Sequence, residues 1–304
     1  MQDLLTIALP VYKRVDYIKS ALDSAFNQTI KCRILLIDNN SPHNEFKEIV
    51  ESYNSPLFEY VRMDTTVPQD ENFNNCFKYT KTPWVTILHD DDMLHCQFVE
   101  LAKQIIDKHG DSIGGFAVKS EVGEKEWEGI KQKGEIPQNY NLVKEPYFFF
   151  NNLTPFPGVV VKRDAAIELK GFNAPLYPIS DFDFWHRLCK SYKVFLVNQK
   201  FAYYRTSPSQ STNHLIEKMI RDVYHYRKNL IEKSNYNNFI TRIAFLDSIL
   251  DLIEYFSNNY QNFQVDYTVF NKKELNIIRA VRNLWGVQRF LYYYKNRISL
   301  SKTK

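Results

Sequence analysis

The chain has 304 residues, of which 44% are hydrophobic and 24% are charged, a composition typical of a folded protein and not of a disordered or fibrous one. Its formal charge of +4 is unevenly distributed, because residues 272–304 carry nine Lys or Arg and one acidic residue, Glu274. The other 271 residues therefore have a net charge of −4. A mildly acidic body with a basic end argues against a nucleic-acid-binding protein, whose positive charge normally lies on the folded body.

Sequence patterns also argue against a membrane-spanning or secreted protein. No uncharged apolar run approaches the roughly 18–20 residues that cross a bilayer, and the first residues lack the basic and apolar segments of a secretory signal. We therefore expect a cytoplasmic protein. The four cysteines form no CxxC pair, which fits neither a zinc knuckle nor a disulfide framework and predicts buried free thiols.

The first half of the chain alternates strand and helix patterns. Short apolar runs predict strands at residues 4–9, 32–37, 58–61 and 84–88, and helical spacing predicts helices at 15–27, about 44–53 and 71–79. This alternation predicts a mostly parallel sheet, and ligands of such sheets bind beyond the carboxyl ends of the strands.

Polar residues follow three of these strands at the point where each strand ends. Residues 10–14 follow the first strand, residues 38–41 follow the second, and Asp90, Asp91 and Asp92 follow the fourth. Because the carboxyl ends of parallel strands lie at one edge of a sheet, we expect the three clusters to meet there.

The second half begins with residues 119–146, which lose periodicity and predict an irregular insertion or flexible loop near the site. Further apolar runs predict strands at 158–161, 194–197 and 201–204, and helical spacing predicts helices at 181–189, 214–233, 239–256 and 274–295. We expect a catalytic α/β domain over residues 1–210 and an all-helical region over residues 211–304.

Three consecutive aspartates after a buried strand raise one another's pKa unless a cation is present. Carboxylate ligands point to Mg²⁺ or Mn²⁺, and a solvated acidic turn or helix N-cap is the alternative that the residues alone leave open. An EF-hand is excluded because His95 stands where its glycine is needed, and a DDxxD site is excluded because residues 94 and 95 are Leu and His.

Asp181 lies at the start of a predicted helix whose residues Phe184, Trp185 and Leu188 face inward. The helix N-terminus favours an ionised carboxylate, which suits a general base and an N-cap equally. Because aspartate is common at N-caps, the residues alone favour the cap.

The order of these motifs resembles that of family 2 glycosyltransferases, which have the GT-A fold. The resemblance covers roughly residues 3–210 and rests on six segments: IALPVYKR (7–14), AFNQT (25–29), LIDNNSP (36–42), ENFNN (71–75), LHDDD (88–92) and SDFDFW (180–185). It implies a Rossmann-like, mostly parallel sheet flanked by helices. It also implies inverting transfer of a sugar from a nucleotide diphosphate donor, usually a UDP-sugar, to an acceptor hydroxyl.

The resemblance assigns donor-binding residues to the predicted site. The nucleotide sugar would lie against the loop at Pro10, Tyr12 and Arg14, with Asp38 accepting a hydrogen bond from the base. Asn72 would lie close to the donor, and Asp90 near its ribose or diphosphate. Arg205 matches a loop that closes over the diphosphate, together with Ser209, Ser211 or His214.

The resemblance also assigns the metal ligands and the base. Asp91 would bind Mn²⁺ or Mg²⁺ directly, supported by Asp92 and His214, although His89 stands at the first position of the usual DxD. Asp181 matches the catalytic base, although Ser180 replaces the more frequent Glu.

Two other functions are weighed against this one. A metal-dependent nucleotidyltransferase would be expected to have a glycine-rich phosphate loop, and residues 10–14 contain no glycine. A non-catalytic sugar-binding module is disfavoured by the aspartates at 38, 90–92 and 181. The acceptor is expected to be a glycan or lipid-linked, as in surface polysaccharide biosynthesis.

The basic end predicts one amphipathic helix. Arg279, Arg282 and Arg289 would form a stripe beside an apolar face made of Ile277, Val281, Leu284, Trp285, Leu291 and Tyr292. Such a helix either packs on the preceding helices or binds an anionic membrane surface peripherally, and the pattern leaves both open.

Overall fold

The computed structural model describes residues 1–125, 127–206, 213–259 and 267–302. The chain divides into two compact units. The first consists of Met1–Leu142, Leu153–Ser207 and Lys302–Lys304, and the second of Val143–Asn152 and Pro208–Ser301. The first unit is an α/β structure and the second is helical, which confirms the predicted fold class.

The strands and helices follow in the order that the hydrophobic pattern predicts for most of the first unit. The strands are β1 Leu5–Val11, β2 Arg33–Asp38, β3 Phe58–Arg62, β4 Trp84–Ile87, β5 Met93–Leu94, β6 Gly115–Gly123, β7 Asn141–Val143, β8 Val159–Lys162, β9 Val194–Arg205 and β10 Leu300–Lys302. The helices are α1 Ile18–Phe26, α2 Glu45–Tyr53, α3 Gln69–Tyr79, α4 Phe98–His109, α5 Arg163–Glu168, α6 Ser180–Ser191, α7 Ile216–Glu232, α8 Phe239–Asn259, α9 Lys272–Arg282 and α10 Trp285–Ser299. Short 3-10 helices cover Glu128–Lys131, Glu145–Phe149, Ala174–Leu176 and Asn213–Leu215.

The sheet of the first unit has the strand order β7-β9-β6-β8-β4-β1-β2-β3, with β5 paired to β9. Strands β1 to β4 are parallel to one another, and β8 is antiparallel to β4 and β6. Every residue of β1 is buried, as expected for a central strand covered on both faces.

The register aligns the polar clusters at one edge of the sheet. Val11, the last residue of β1, pairs with Asp38, the last residue of β2. Ala8 pairs with Ile87, so three further residues bring Asp90 level with Val11. The loops after β1, β2 and β4 therefore begin side by side.

Two strand predictions in the first unit are wrong. The runs at 194–197 and 201–204 belong to one strand, β9, whose central residues Asn198, Gln199 and Lys200 are exposed. Residues 119–123, predicted to be irregular, continue β6. The pairing of β6 with β9 shifts register around Lys119, and this irregularity hides the strand from a period-two pattern.

The predicted single helix over 274–295 is also wrong. It is divided at Asn283 and Leu284 into α9 and α10, because Leu284 has an extended backbone. Asn283 and the nearby Gly286 are weak helix formers, and they mark the break that the apolar period conceals.

The arginines of the basic end consequently do not form one stripe along one helix. Arg282 of α9 pairs with three carboxylates of α8, at 3.1 Å from Asp247, 2.5 Å from Asp251 and 2.7 Å from Glu254. Of the predicted apolar face, Leu291 is buried, whereas Leu284 and Tyr292 are exposed by 56% and 64%. The side chain of Trp285 lies outside the described part of the structure.

The helices and the cysteines bear on two further expectations from the sequence. Across those residues, none of the helices combines the length and the apolar character that a membrane span requires. Cys32, Cys76 and Cys96 are free and buried as predicted, and Cys189 is free and partly exposed.

The start of β8 depends on a glycine at position 158. Gly158 has φ of +90°, and a Cβ there would lie 2.5 Å from Val118 Cγ2 and 3.0 Å from the Ala202 Cβ. We predict that Gly158→Ala lowers the free energy of unfolding by about 2–4 kcal/mol, since it adds both strain and overlap. Urea unfolding should show this loss, whereas Gly134→Ala, with nothing within 4 Å of its new Cβ, should change stability by less than about 0.5 kcal/mol.

Candidate functional site

The loops after β1 and β4 are joined by an arginine. Arg14 Nη2 lies 2.6 Å from Asp90 Oδ1 and 2.8 Å from Asp91 Oδ2, and Arg14 Nε donates to Asp90 Oδ2 at 3.0 Å. The guanidinium therefore bridges two of the three aspartates. These contacts bring Arg14, Asp90 and Asp91 together as predicted from their places after the strands.

The loop after β1 is fixed by the loop after β2. Lys13 has φ of +62°, and its backbone N–H donates to Ser41 Oγ at 3.0 Å. Pro10 lies before this loop as a buried residue of β1, whereas Tyr12 in the loop is 39% exposed and is therefore accessible to a ligand.

Asp38 is fully buried at the end of β2, and both of its oxygens accept hydrogen bonds. Oδ1 accepts from the backbone N–H of Ser41 at 2.8 Å, and Oδ2 accepts from the Tyr60 hydroxyl at 2.8 Å. Burial and the bond to Asp38 raise the pKa of Tyr60 to about 12, so this phenol stays protonated as a donor. Asp38 thus holds the loop of Ser41, and its role toward a base stays a prediction.

The turn Asp90-Asp91-Asp92, which we call the acidic turn, concentrates negative charge in a poorly solvated place. Burial raises the pKa of the Asp90 carboxyl, the hydrogen bond from Arg14 opposes this rise, and the charge of Asp91 adds to it. Burial and the charge of Asp91 also raise the pKa of Asp92 well above its usual value. The acidic turn is therefore short of positive charge and would be stabilised by a cation.

Arg205 supports the acidic turn from beneath. Its backbone N–H donates to Asp92 Oδ1 at 3.0 Å, and its Nε donates to the backbone carbonyl of Asp91 at 2.9 Å. The residue is 3% exposed, and its guanidinium lies over the Tyr17 ring. Its predicted contact with a diphosphate stays a prediction, because these contacts direct it to the turn.

His89 is the residue that the sequence pattern fails to identify as a candidate ligand. Its ring is stacked on Phe73, with centroids 5.0 Å apart, and lies 4.0 Å from the Phe156 ring. Burial lowers the pKa of His89 to about 4, so the imidazole is neutral at neutral pH. A neutral imidazole has a lone pair available for a metal ion.

Ligand atoms of His89, Asp91 and Asp92 lie within 4.8 Å of one another, which is the spacing of a metal site. Within the described residues, His89 Nε2 and Asp92 Oδ2 are buried atoms that have no hydrogen-bond partner. Buried polar atoms in folded proteins are normally paired, so Asp92 Oδ2 is suited to a ligand. His89 Nδ1 lies 3.6 Å from this oxygen. The two predicted ligands Asp91 and Asp92 are brought together, with His89 as the third.

Asp181 lies in the first turn of α6 and is half-buried. The N-cap of this helix is Ile179, so the cap that the residues alone favour for Asp181 is wrong. The inward-facing residues Phe184, Trp185 and Leu188 are buried as predicted.

Helix α3 holds the segment that leads into α6 by two side chains one turn apart. Asp70 Oδ1 accepts a hydrogen bond from the Ser180 hydroxyl at 2.8 Å. Asn74 Nδ2 donates to the Phe172 carbonyl at 2.9 Å, and Asn74 Oδ1 accepts from the Phe172 N–H at 2.8 Å. The sequence gives no sign of this contact, because Asp70 and Ser180 are 110 positions apart. The start of α6, and with it Asp181, is therefore positioned by α3.

The remaining predicted residues occupy different places. Asn72 of α3 is buried, and among the described residues its Oδ1 has no hydrogen-bond partner. His214 is exposed in the 3-10 helix Asn213–Leu215, which belongs to the second unit, and its role as a metal ligand stays a prediction. Ser209 and Ser211 lie outside the described residues.

The chain is similar in sequence to known glycosyltransferases. The sequence model of glycosyl transferase family 2 matches residues 6–165, more than half of the chain. The chain is 23% identical over 248 residues to the uncharacterized glycosyltransferase MJ1057 of Methanocaldococcus jannaschii, with 80% of this chain and 83% of that protein covered. It is 24% identical over 194 residues to an uncharacterized glycosyltransferase of Rickettsia felis, with 62% of this chain and 31% of that protein covered.

Solved structures resemble the chain in fold. Residues 1–349 of S. aureus TarS in complex with UDP-GlcNAc align with a TM-score of 0.60 and 14% identity, covering 85% of this chain and 74% of that one. The mannosyltransferase PcManGT from Pyrobaculum calidifontis, in complex with GDP-Man and Mn²⁺, aligns with a TM-score of 0.57 and 10% identity, covering 95% of this chain and 83% of that one.

The contact between Asp70 and Ser180 yields a prediction about stability. Asp70 is 2% exposed, and burial raises its pKa while the Ser180 hydrogen bond opposes the rise. The folded state then binds more protons than the unfolded state, so this group's contribution to stability falls as pH rises through the two pKa values. We predict that Asp70→Asn, which keeps an acceptor for Ser180, raises the free energy of unfolding at pH 7 by about 1 kcal/mol.

Urea unfolding at pH 7 and pH 4 checks this prediction. Ser180→Ala is the matched control, because it removes the donor and leaves the charge, and it should lower stability at pH 7 by about 1–2 kcal/mol. An Asp70→Asn protein less stable than the wild type at pH 7 would show that the buried charge is well compensated.

Proposed function

Because the chain belongs to glycosyl transferase family 2, we propose that it transfers a sugar with inversion from a nucleotide diphosphate donor to an acceptor hydroxyl. The observation that carries the proposal is the acidic turn, where ligand atoms of His89, Asp91 and Asp92 lie within 4.8 Å of one another. TarS was solved with UDP-GlcNAc and UDP, and PcManGT with GDP-Man and Mn²⁺, which supports a nucleotide sugar as the donor. We propose UDP as the nucleotide.

His89, Asp91 and Asp92 would hold a divalent cation. The set combines carboxylate oxygens with an imidazole nitrogen, which favours Mn²⁺ over Mg²⁺, because Mg²⁺ strongly prefers oxygen ligands. When bound, the cation acts as a Lewis acid that neutralises the charge developing on the departing nucleoside diphosphate. Phe73 and Phe156 keep the His89 ring in place for this role.

The proposed general base is Asp181. It removes the proton from the acceptor hydroxyl as that oxygen attacks the anomeric carbon in a single displacement. It lies in the first turn of α6, and α3 fixes the position of that turn through Ser180. General-base catalysis of this type contributes roughly 10²–10⁴ to the rate.

The nucleoside would lie along the loops after β1 and β2. The exposed Tyr12 ring offers a flat surface to a base, and Asp38 lies directly below the loop of Ser41. We propose that Pro10 shapes this loop and that Asn72 and Asp90 contact the sugar or the diphosphate. Arg205 would affect diphosphate binding indirectly, by holding the acidic turn in place. In this assignment residues 1–210 form the catalytic domain.

The two alternatives are weaker in light of the family. Nucleotidyl transfer would require a donor phosphate to be attacked instead of a sugar carbon, and family 2 membership favours the sugar. A non-catalytic module would not need the acidic turn, where the buried carboxylates of Asp91 and Asp92 lie close to His89.

Asp181→Asn tests the base. We predict that a thermal-shift screen of nucleotide sugars with Mn²⁺ identifies a donor that the variant binds within about twofold of the wild type. Release of nucleoside diphosphate should fall by roughly 10²–10⁴, because the amide cannot accept the proton. Asp164→Asn removes an exposed carboxylate of α5 and should leave the rate unchanged. Full activity of Asp181→Asn would exclude Asp181 as the base.

We propose in addition a glycan or lipid-linked acceptor, as in surface polysaccharide biosynthesis, and peripheral attachment to an anionic membrane through the helical region 211–304. The arginine stripe does not support this attachment, because Arg282 is paired within the second unit. The support comes from α10, where Phe290, Tyr292 and Tyr293 are exposed by 51%, 64% and 58%. Exposed aromatic rings with polar edges suit the membrane interface.

Flotation with anionic liposomes tests this attachment. We predict that the wild type floats and that Tyr292→Ser with Tyr293→Ser reduces the floating fraction at least threefold, because the rings supply the apolar contact. Ile167→Ser, which removes an exposed apolar side chain of α5, should float like the wild type. Equal floating fractions for all three proteins would contradict attachment through α10.

A further inference from the structure

Arg14 is paired with Asp91, one of the three residues that could hold a divalent cation. Its Nη2 lies 2.8 Å from Asp91 Oδ2, and Asp91 is also one of the three residues whose ligand atoms come together. A carboxylate paired with a guanidinium at this distance is a weaker ligand for a metal, because the two cations repel each other. The acidic turn therefore has two competing cations, one of which is part of the chain.

We propose that Arg14 is an internal counter-cation, which occupies Asp91 when no metal is bound and transfers to the donor diphosphate when a metal takes its place. This inference rests on the proposed function, since it assumes a metal and a diphosphate at the same site. It assigns to Arg14 a positioning role that couples the binding of the metal to the binding of the donor.

The charges of the turn explain why a counter-cation is needed. Asp92 is fully buried and Asp91 nearly so, and two adjacent carboxylates in a poorly solvated place repel each other. The Arg205 guanidinium donates to the backbone carbonyls of Asp91 and Glu124, so its hydrogen bonds hold the shape of the turn. Within the part of the chain that the structure describes, Arg14 is the cation whose side chain bonds to the carboxylates of Asp90 and Asp91 directly.

The surrounding backbone allows Arg14 to move without refolding the loop. Lys13 is fixed on both sides, because its N–H donates to Ser41 Oγ and its carbonyl contacts His43 Nε2 at 2.9 Å. The Arg14 side chain, however, is 24% exposed, so rotation about its own bonds can carry the guanidinium toward solvent. A bound diphosphate would offer it oxygens that accept two parallel hydrogen bonds, as the Asp90 carboxylate does.

Competition of this kind makes metal and donor binding cooperative. Metal alone must displace Arg14 from Asp91 without offering it a new partner, whereas metal with a nucleoside diphosphate offers it a second anion beside Asp90. The presence of UDP should therefore increase the affinity for Mn²⁺, and Mn²⁺ should increase the affinity for UDP by the same factor.

The test measures Mn²⁺ binding to the full chain by the electron paramagnetic resonance of free Mn²⁺, with and without UDP. We expect Arg14→Met to bind Mn²⁺ alone about tenfold more tightly than the wild type, because it removes a cation a few ångströms from the ligands. The increase in Mn²⁺ affinity caused by UDP should fall at least threefold in the same variant.

Lys13→Met is the matched control. It removes the same charge from the neighbouring position, but the Lys13 ammonium lies 4.7 Å from the centre of the Tyr12 ring instead of on the aspartates. It should change the Mn²⁺ affinity by less than about twofold. Arg14→Lys retains a charge but cannot form two parallel hydrogen bonds, so its Mn²⁺ affinity should lie between those of the wild type and Arg14→Met. It replaces Arg14→Met in the test if that variant does not fold.

The outcomes separate this inference from the proposed function. If Asp91→Asn leaves Mn²⁺ binding unchanged, the metal site itself is wrong. If Asp91→Asn abolishes binding but Arg14→Met binds Mn²⁺ no more tightly than the wild type, the metal site stands and the counter-cation is overturned. An equal gain in Mn²⁺ affinity in Arg14→Met and Lys13→Met would also overturn the counter-cation, because the loss of any nearby positive charge would then explain the gain.

Discussion

The mutual repulsion of three aspartates at the end of β4 is the constraint on which the rest of the site depends. Asp90, Asp91 and Asp92 follow a buried strand, so water cannot fully screen them, and burial raises the pKa of Asp90 and Asp92. Two contacts offset part of this repulsion. The Arg14 guanidinium pairs with the carboxylates, and the Arg205 backbone N–H donates to Asp92. These contacts do not fully compensate the negative charge, because Asp92 Oδ2 has no hydrogen-bond partner within the described residues. Under the proposed function, a divalent cation would supply the missing positive charge, and the donor diphosphate would accept hydrogen bonds from Arg14.

The sheet brings these groups together because its parallel strands end at one edge. The pairing of β1 with β2 and β4 places the loops that begin at Tyr12, Asn39 and Leu88 side by side. Helix α3 then connects this edge to the proposed base. It carries Asp70 and Asn74 one turn apart, and these hold the backbone and hydroxyl that precede Asp181. The proposed metal ligands and the proposed base thus lie on elements of the same compact unit.

Much of this arrangement is predictable from the sequence, for a physical reason. Buried parallel strands read as apolar runs, and their polar ends mark the ligand edge, so the positions of Arg14, Asp38 and the acidic turn follow from pattern and topology. Contacts between distant segments cannot be predicted from the sequence pattern in this way. The role of His89 depends on the rings of Phe73 and Phe156, and Asp70 meets Ser180 across 110 positions. The break between α9 and α10 was concealed because the apolar period continues past Asn283, although the backbone does not.

We propose that a divalent cation at the acidic turn displaces Arg14 from Asp91. The most direct measurement is anomalous diffraction at the manganese absorption edge, from crystals grown with Mn²⁺ and UDP. We expect one anomalous peak within coordination distance, about 2–2.3 Å, of oxygens of Asp91 and Asp92 and a nitrogen of His89, with the Arg14 guanidinium moved from Asp91 to the diphosphate. A bound UDP with no anomalous peak at the turn, and with Arg14 still paired to Asp91, would contradict this proposal.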